Sequence, residues 1–279
     1  MRGEIKGLKT LIMKESPSAY YIHCFAHQLQ LVLVAVAKGN DDCVWFFDRV
    51  SLLLNVIGVS CKRHDMPRDA RLEYPELLEC GELQTGSGLN QEMGLPRPGD
   101  TRWGSHYKTV LNIIAMYPTI RDVLITLGQD ASRRSDWPKI HTIVGVFESF
   151  DFILNAHLML VILGYTSDLS DCLQRRDQDI LTAMALVKNA KSRIQELRDN
   201  GWDAFLQKVT LFCNKHGIQV PIMEDNYVPY GRSTRFAQPQ TNDDHFRRQV
   251  FLRVIDQISQ ELENWFDEII CSCYLVCLL

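Results

Sequence analysis

The chain has 279 residues, enough for one large domain or two smaller ones, and its 46% hydrophobic and 23% charged residues exclude wholesale disorder. The 16 glycines and 10 prolines exclude a collagen-like or low-complexity chain. With 30 basic and 34 acidic residues the net charge is −4, so any contact with nucleic acid requires a local basic patch.

The N-terminal segment combines two helical patterns with the one convincing strand pattern of the chain. Residues 3–14 are predicted to form a short amphipathic helix. The segment 19–25, AYYIHCF, is aromatic and β-branched, which predicts a short strand. Residues 27–38 are apolar nearly all round, which predicts a buried helix that ends at Gly39 and Asn40.

The next helix is predicted to supply a large part of the core. Asp41 or Asp42 is expected to cap it, because a side-chain oxygen at this position accepts hydrogen bonds from the free backbone N–H groups of the first turn. The residues expected in the core share helical spacing: Trp45, Phe46, Val50, Leu53, Leu54 and Ile57. Residues 62–100 follow as a polar stretch without a regular pattern.

Helical periodicity continues through the rest of the chain. Asp100 is expected to cap the first of these helices, and Gly164 is expected to separate the second from the third. The predicted helices cover about 101–127, 140–163, 168–199, 201–216 and 243–268. Residues 217–242 contain three prolines and no sustained period, which predicts a loop. The predicted fold is therefore mainly α.

Two reactive side chains lie at the junction between the predicted strand and the buried helix. Cys24 and His27, with His23 beside them, have the chemistry of zinc ligands, but a closed zinc site needs four ligands and no second cluster with suitable spacing follows. The other interpretation is a cysteine and a histidine packed at the junction. No bound metal or cofactor is predicted.

The segment DTRWGSHYK, residues 100–108, is the second unusual one. On a helix, Arg102 and His106 share a face, and so do Trp103 and Tyr107. An arginine beside a tryptophan suits phosphate contact with base stacking, which is how single-stranded or flipped nucleotides are held. The alternative is that Trp103 is a core aromatic residue and Arg102 is solvated.

The remaining polar groups are predicted to be structural. The pairs Asp177 with Asp179 and Asp243 with Asp244 lie beside arginines, so a solvated or ion-paired surface is the favoured interpretation over metal chemistry. The basic cluster 62–71 is interpreted as a solvated helix end. Spacing alone makes no Ser/His/Asp or Cys/His arrangement catalytic.

Cysteine usage and hydropathy favour a reduced intracellular setting. The nine cysteines are odd in number and include no paired CxxC spacing, which argues against a secreted disulfide framework. The longest internal apolar run, residues 31–37, is far shorter than the roughly 20 residues of a membrane span. No secretory signal and no membrane partner are therefore expected.

Several blocks of the sequence resemble one protein family. The blocks are MRGEIKGLKTLI, YYIHCFAHQLQLVLVAVAK, GLNQEMGLPRPGDTRWGSHY, LQRRDQDILTAMALVK and FCNKHGIQVP. Together they resemble the hAT-type transposase-like proteins of plants, and more narrowly the zinc finger MYM-type or TTF-type subgroup. The resemblance runs from residue 1 to about residue 268.

The resemblance implies an RNase H-like catalytic core with a large helical insertion, in which three acidic residues hold divalent metals for DNA strand transfer. Cys24 and His27 match the family's C-x-x-H motif, and Arg102 and Trp103 match its Arg-Trp motif, which the family places near the transposon end. This sequence lacks the segments that carry the three acids. The resemblance therefore implies an interior fragment without catalysis, with DNA-contact candidates Arg102, Trp103 and His106.

The implied organisation has three parts. Residues 1–61 are expected to be a remnant of the RNase H-like core with the strand near 19–25, and residues 62–268 a mostly helical insertion with the loop 217–242. Residues 269–279, IICSCYLVCLL, are atypically apolar and are expected to be a frameshifted end.

The expected function is that of a transposase-derived protein of the nucleus that does not act as an enzyme and takes no small-molecule substrate. Its expected partners are DNA of the transposon-end or single-stranded type, protein partners, or a second copy of itself. The alternatives are a domesticated helical module that binds proteins and not DNA, and a gene fragment without function.

Overall fold

The computed structural model describes residues 8–16, 24–61, 103–129, 137–175, 177, 179–228 and 240–277. For a few of these it describes the backbone alone, namely 8, 9, 58–61, 103, 104, 180 and 267–277. Most of the described chain is helical, and no strand occurs within these ranges; the nearest feature is a single antiparallel bridge between Asn226 and Thr241. The mainly α prediction is confirmed.

Helices follow one another along the described chain. In chain order they are α1 (Leu8–Glu15), α2 (Phe25–Gly39), α3 (Asp41–Cys61), α4 (Trp103–Ala115), α5 (Tyr117–Gln129), α6 (Trp137–Phe147), α7 (Phe150–Leu173), α8 (Ile180–Asn200), α9 (Trp202–His216), α10 (Asn242–Asp244), the π-helix His245–Leu252 and α11 (Arg253–Cys277). The last three form one continuous helical path, so the predicted helix over 243–268 is confirmed and extends in both directions.

Helix α7 lies at the centre of the fold. It packs against α2, α3, α4, α6, α8 and α9, and Phe152, Leu154 and Leu158 are almost completely buried. Helix α11 packs on α2 and α8 along the other side of the bundle. One continuous hydrophobic core joins all these helices, from Ala26 to Phe266.

Helix α7 is also long enough and apolar enough to cross a membrane, judged by length and composition alone. Its 18-residue window has a mean hydropathy of 1.4, and 67% of that window is buried inside the protein. The bent pair α4 and α5 passes the same test as a unit. Burial of this extent is typical of a core helix, which packs its apolar surface against other helices.

Several predicted helix boundaries are wrong because local caps were not recognised. The predicted helix over 140–163 is two helices, since Ser149 begins α7 by accepting a hydrogen bond from the Phe152 N–H. The predicted stretch 168–199 is likewise divided, because the Asp179 carboxylate accepts from the Thr182 N–H at 2.8 Å and begins α8. Asp179 is therefore a capping residue.

Two further boundaries depend on proline and glycine. The predicted helix over 101–127 is α4 and α5, which meet at an angle of 78°. Pro118 lies in the first turn of α5, where a residue without an N–H is tolerated. The predicted break at Gly164 does not occur, and α7 continues through it to Leu173.

Other predictions are confirmed or fall outside the described residues. Helix α9 matches the predicted helix 201–216, and the described parts of the loop 217–242 are non-helical up to its last residue. The strand predicted over 19–25 lies mostly in residues 17–23, outside the described ranges, and Phe25 begins α2. Asp100 and the cluster 62–71 also lie outside them.

Candidate functional site

The predicted DNA-contact residues are placed only in part. Arg102 lies outside the described residues, and Trp103 begins α4 with its backbone alone described. His106 is half-buried, and its ring meets Phe47 of α3 edge-on at a centroid distance of 5.2 Å. Tyr107, one residue further on, contacts the position of Gly164 on α7. The described part of this segment is therefore directed largely into the bundle.

Cys24 and His27 are both exposed at the N-terminal end of α2. Residues 17–23, on the strand side of the predicted junction, lie outside the described residues, and packing at that junction stays a prediction. Cys24 carries a free thiol, and within the described ranges no three His, Cys, Asp or Glu side chains come together in a group that could hold a metal ion. The pair remains a surface feature of the first turn of α2.

Three of the four residues of the two acidic pairs have structural partners, and one of these, Asp179, caps α8. Asp243 accepts a hydrogen bond from the Trp202 Nε1–H at 2.9 Å, which joins α10 to α9. Asp244 forms an ion pair with Arg248 at 3.2 Å, one helical turn further along. Asp177 is exposed.

The sequence interpretation missed an exposed groove between α5 and α6. It holds a free volume of about 220 Å³ and is bounded by both helices. Its lining residues are Leu124, Ile125, Gly128, Gln129, Trp137, Ile140, His141 and Val144. Leu124 and Ile140 belong to the buried core, so the floor of the groove is continuous with the interior.

Trp137 forms one wall of this groove and is 51% exposed. Its Nε1–H donates a hydrogen bond to the backbone carbonyl of Gly128, near the C-terminal end of α5. The ring also meets His141 edge-on at a centroid distance of 6.2 Å, one turn along α6. The one polar group of this indole is thus bonded to a backbone carbonyl of the protein, and about half of the side chain stays exposed.

The residues that line the groove include no aspartate, glutamate, lysine or arginine, and the two polar side chains among them are Gln129 and His141, both exposed. Exposed large apolar side chains around a concave site are typical of binding surfaces. A sequence signal exists, because Ile125 and Trp137 are large apolar residues on amphipathic helices. Their exposure, however, depends on how α5 and α6 pack, which periodicity does not give.

The most strongly perturbed titratable groups are buried away from this groove. Burial lowers the pKa of His157 to about 4, and its Nδ1 lies 2.9 Å from the Ile153 carbonyl oxygen. Burial raises the pKa of Cys213 to about 12 and also raises that of Tyr117. The Tyr117 hydroxyl donates to the Phe147 carbonyl at 3.1 Å. These groups lie in the buried interior and lack access to a substrate.

Several basic side chains on the described surface form ion pairs with carboxylates. The ion pairs are Arg121 with Glu148, Lys191 with Glu263, Arg193 with Asp168, Arg198 with Asp256, Arg248 with Asp244 and Arg253 with Asp41. Exposed pairs of this kind add little to stability. They do neutralise cations that a phosphate backbone would need.

Comparison of this chain with protein-family models and with solved structures finds no match to either. The residues and their geometry therefore carry the functional argument.

Proposed function

We propose that this protein is a non-catalytic helical module that binds an apolar segment of a protein partner in the groove between α5 and α6. The observation that carries the proposal is Trp137, a half-exposed indole whose polar edge is already bonded to Gly128. Tryptophan is enriched among the residues that dominate binding energy at protein interfaces, because it buries a large rigid surface at low entropic cost.

The family resemblance supplies the remainder of this proposal. It would make the module a transposase-derived protein of the nucleus that has kept a binding function and lost DNA strand transfer. Binding of DNA at Arg102, Trp103 and His106 is the competing proposal. The ion-paired cations and the contact of His106 with Phe47 favour a protein partner over a phosphate backbone.

The test is a selection from a displayed peptide library against the full-length chain. We expect the enriched peptides to carry large apolar side chains and to bind Trp137→Ser at least about 30-fold more weakly, which corresponds to the roughly 2 kcal/mol of an interface hot spot. Leu181→Ser is the matched control, because Leu181 is 67% exposed on α8 and lies outside the groove. Its binding should equal that of the wild type.

Two results would contradict the proposal. One is a set of enriched peptides whose affinity is the same for Trp137→Ser and for the wild type. The other is binding of hairpin or single-stranded DNA that weakens steeply with salt and is lost in His106→Ala, because that outcome would assign the binding function to α4.

A further inference from the structure

We draw no further inference here: the strongest candidate, the small apolar hollow between α3 and α6 that is lined by Arg49, whose Nε is buried without a hydrogen-bond partner among the described residues, carries nothing because nothing in the structure shows what covers it.

Discussion

Asn40 both ends α2 and begins α3, through its backbone N–H and its side-chain amide. Its backbone N–H donates to the Val36 carbonyl at 3.1 Å and so ends α2. Its side-chain Oδ1 accepts from the N–H groups of Asp42 and Cys43 at 3.0 and 3.1 Å, and so begins α3. The residue is completely buried. The predicted caps, Asp41 and Asp42, lie one and two residues after the observed cap and already belong to the first turn of α3.

We predict that Asn40→Ala lowers the free energy of unfolding by about 1–2 kcal/mol, because two N–H groups at a buried helix start lose their acceptor. Asp41→Ala should cost only a few tenths of a kcal/mol. Asp41 contributes only a charge near the N-terminus of α3 and an exposed ion pair with Arg253, and both interactions are weak at the surface. Urea denaturation of both variants measures this. A larger loss for Asp41→Ala than for Asn40→Ala would contradict the assignment of the cap.

His157 is 2% exposed on α7, and burial lowers its pKa to about 4, against about 6.5 for an unperturbed histidine. The folded protein therefore binds fewer protons at this site than the unfolded chain does between these two pH values. Stability must rise with pH across this interval and be lost as the pH falls from about 6.5 towards about 4. Above pH 6.5 the contribution is complete.

We predict that the wild type loses about 2 kcal/mol more stability than His157→Leu when the pH is lowered from 7.5 to 5. The comparison uses differences between the two pH values, because the substitution also removes the contact with the Ile153 carbonyl. Burial raises the pKa of Asp42 and of Asp151, an effect of opposite sign that both proteins share. Equal losses in the two proteins, measured by urea denaturation, would contradict the prediction.

At the scale of the elements, Gly164 explains how α4 approaches α7. A Cβ built at Gly164 would lie 3.5 Å from Tyr107 Cε2, which is ordinary van der Waals contact, so one methyl group fits there and no more. The glycine is therefore a packing residue inside α7. Its sequence neighbours gave no sign of this, because the contact comes from another helix.

We predict that Gly164→Ala raises the free energy of unfolding by up to about 1 kcal/mol, since alanine favours the helix and meets no clash. Gly164→Leu should lower it by about 1–3 kcal/mol, because the additional atoms have to displace Tyr107. Thermal unfolding compares the two variants. If Gly164→Leu is as stable as Gly164→Ala, the two helices are not closely packed at this point.

The sequence predicted which faces of the helices are buried better than it predicted where the helices end. Of the six residues expected in the core of α3, five are buried and Trp45 is half-buried; the buried five are Phe46, Val50, Leu53, Leu54 and Ile57. Their spacing follows from the helical period, which is a local property. The boundaries at Ser149 and Asp179 depend on side-chain hydrogen bonds at a single residue each, which a continuous apolar pattern hides.

The same reasoning applies to the candidate site. Composition and spacing drew attention to Cys24, His27 and the segment around Trp103, because these side chains are chemically distinctive. The groove is built from ordinary residues, and it exists because α5 and α6 pack on each other in a way that leaves Trp137 and Ile125 exposed. Tertiary packing of this kind cannot be derived from the period of either helix alone.

For the whole molecule, the important contacts join the beginning of the chain to its end. The ring of Phe25 on α2 stacks on Phe266 of α11, with centroids 6.1 Å apart. Arg253 of α11 reaches Asp41 at the start of α3. Helix α3 in turn packs on α6 and α7. Residues 24–61 are therefore held between the last helix and the central one, within the same hydrophobic core.

We predict that the proposed boundary between residues 61 and 62 does not separate two units that unfold independently. If α2 and α3 were to unfold alone, Phe152 would lose its contact with Phe46 of α3 and Phe266 its contact with Phe25 of α2. Both side chains are now almost completely buried, and exposing each one costs about 1.5–3 kcal/mol. One cooperative transition is therefore expected.

The check is ¹⁹F NMR of the chain labelled with fluorotryptophan, since Trp45 lies on α3 and Trp202 on α9. Their folded signals should disappear at the same urea concentration. Loss of the Trp45 signal while that of Trp202 persists would show instead that the first 61 residues form a separate unit, because the two probes report on the same molecules under the same conditions.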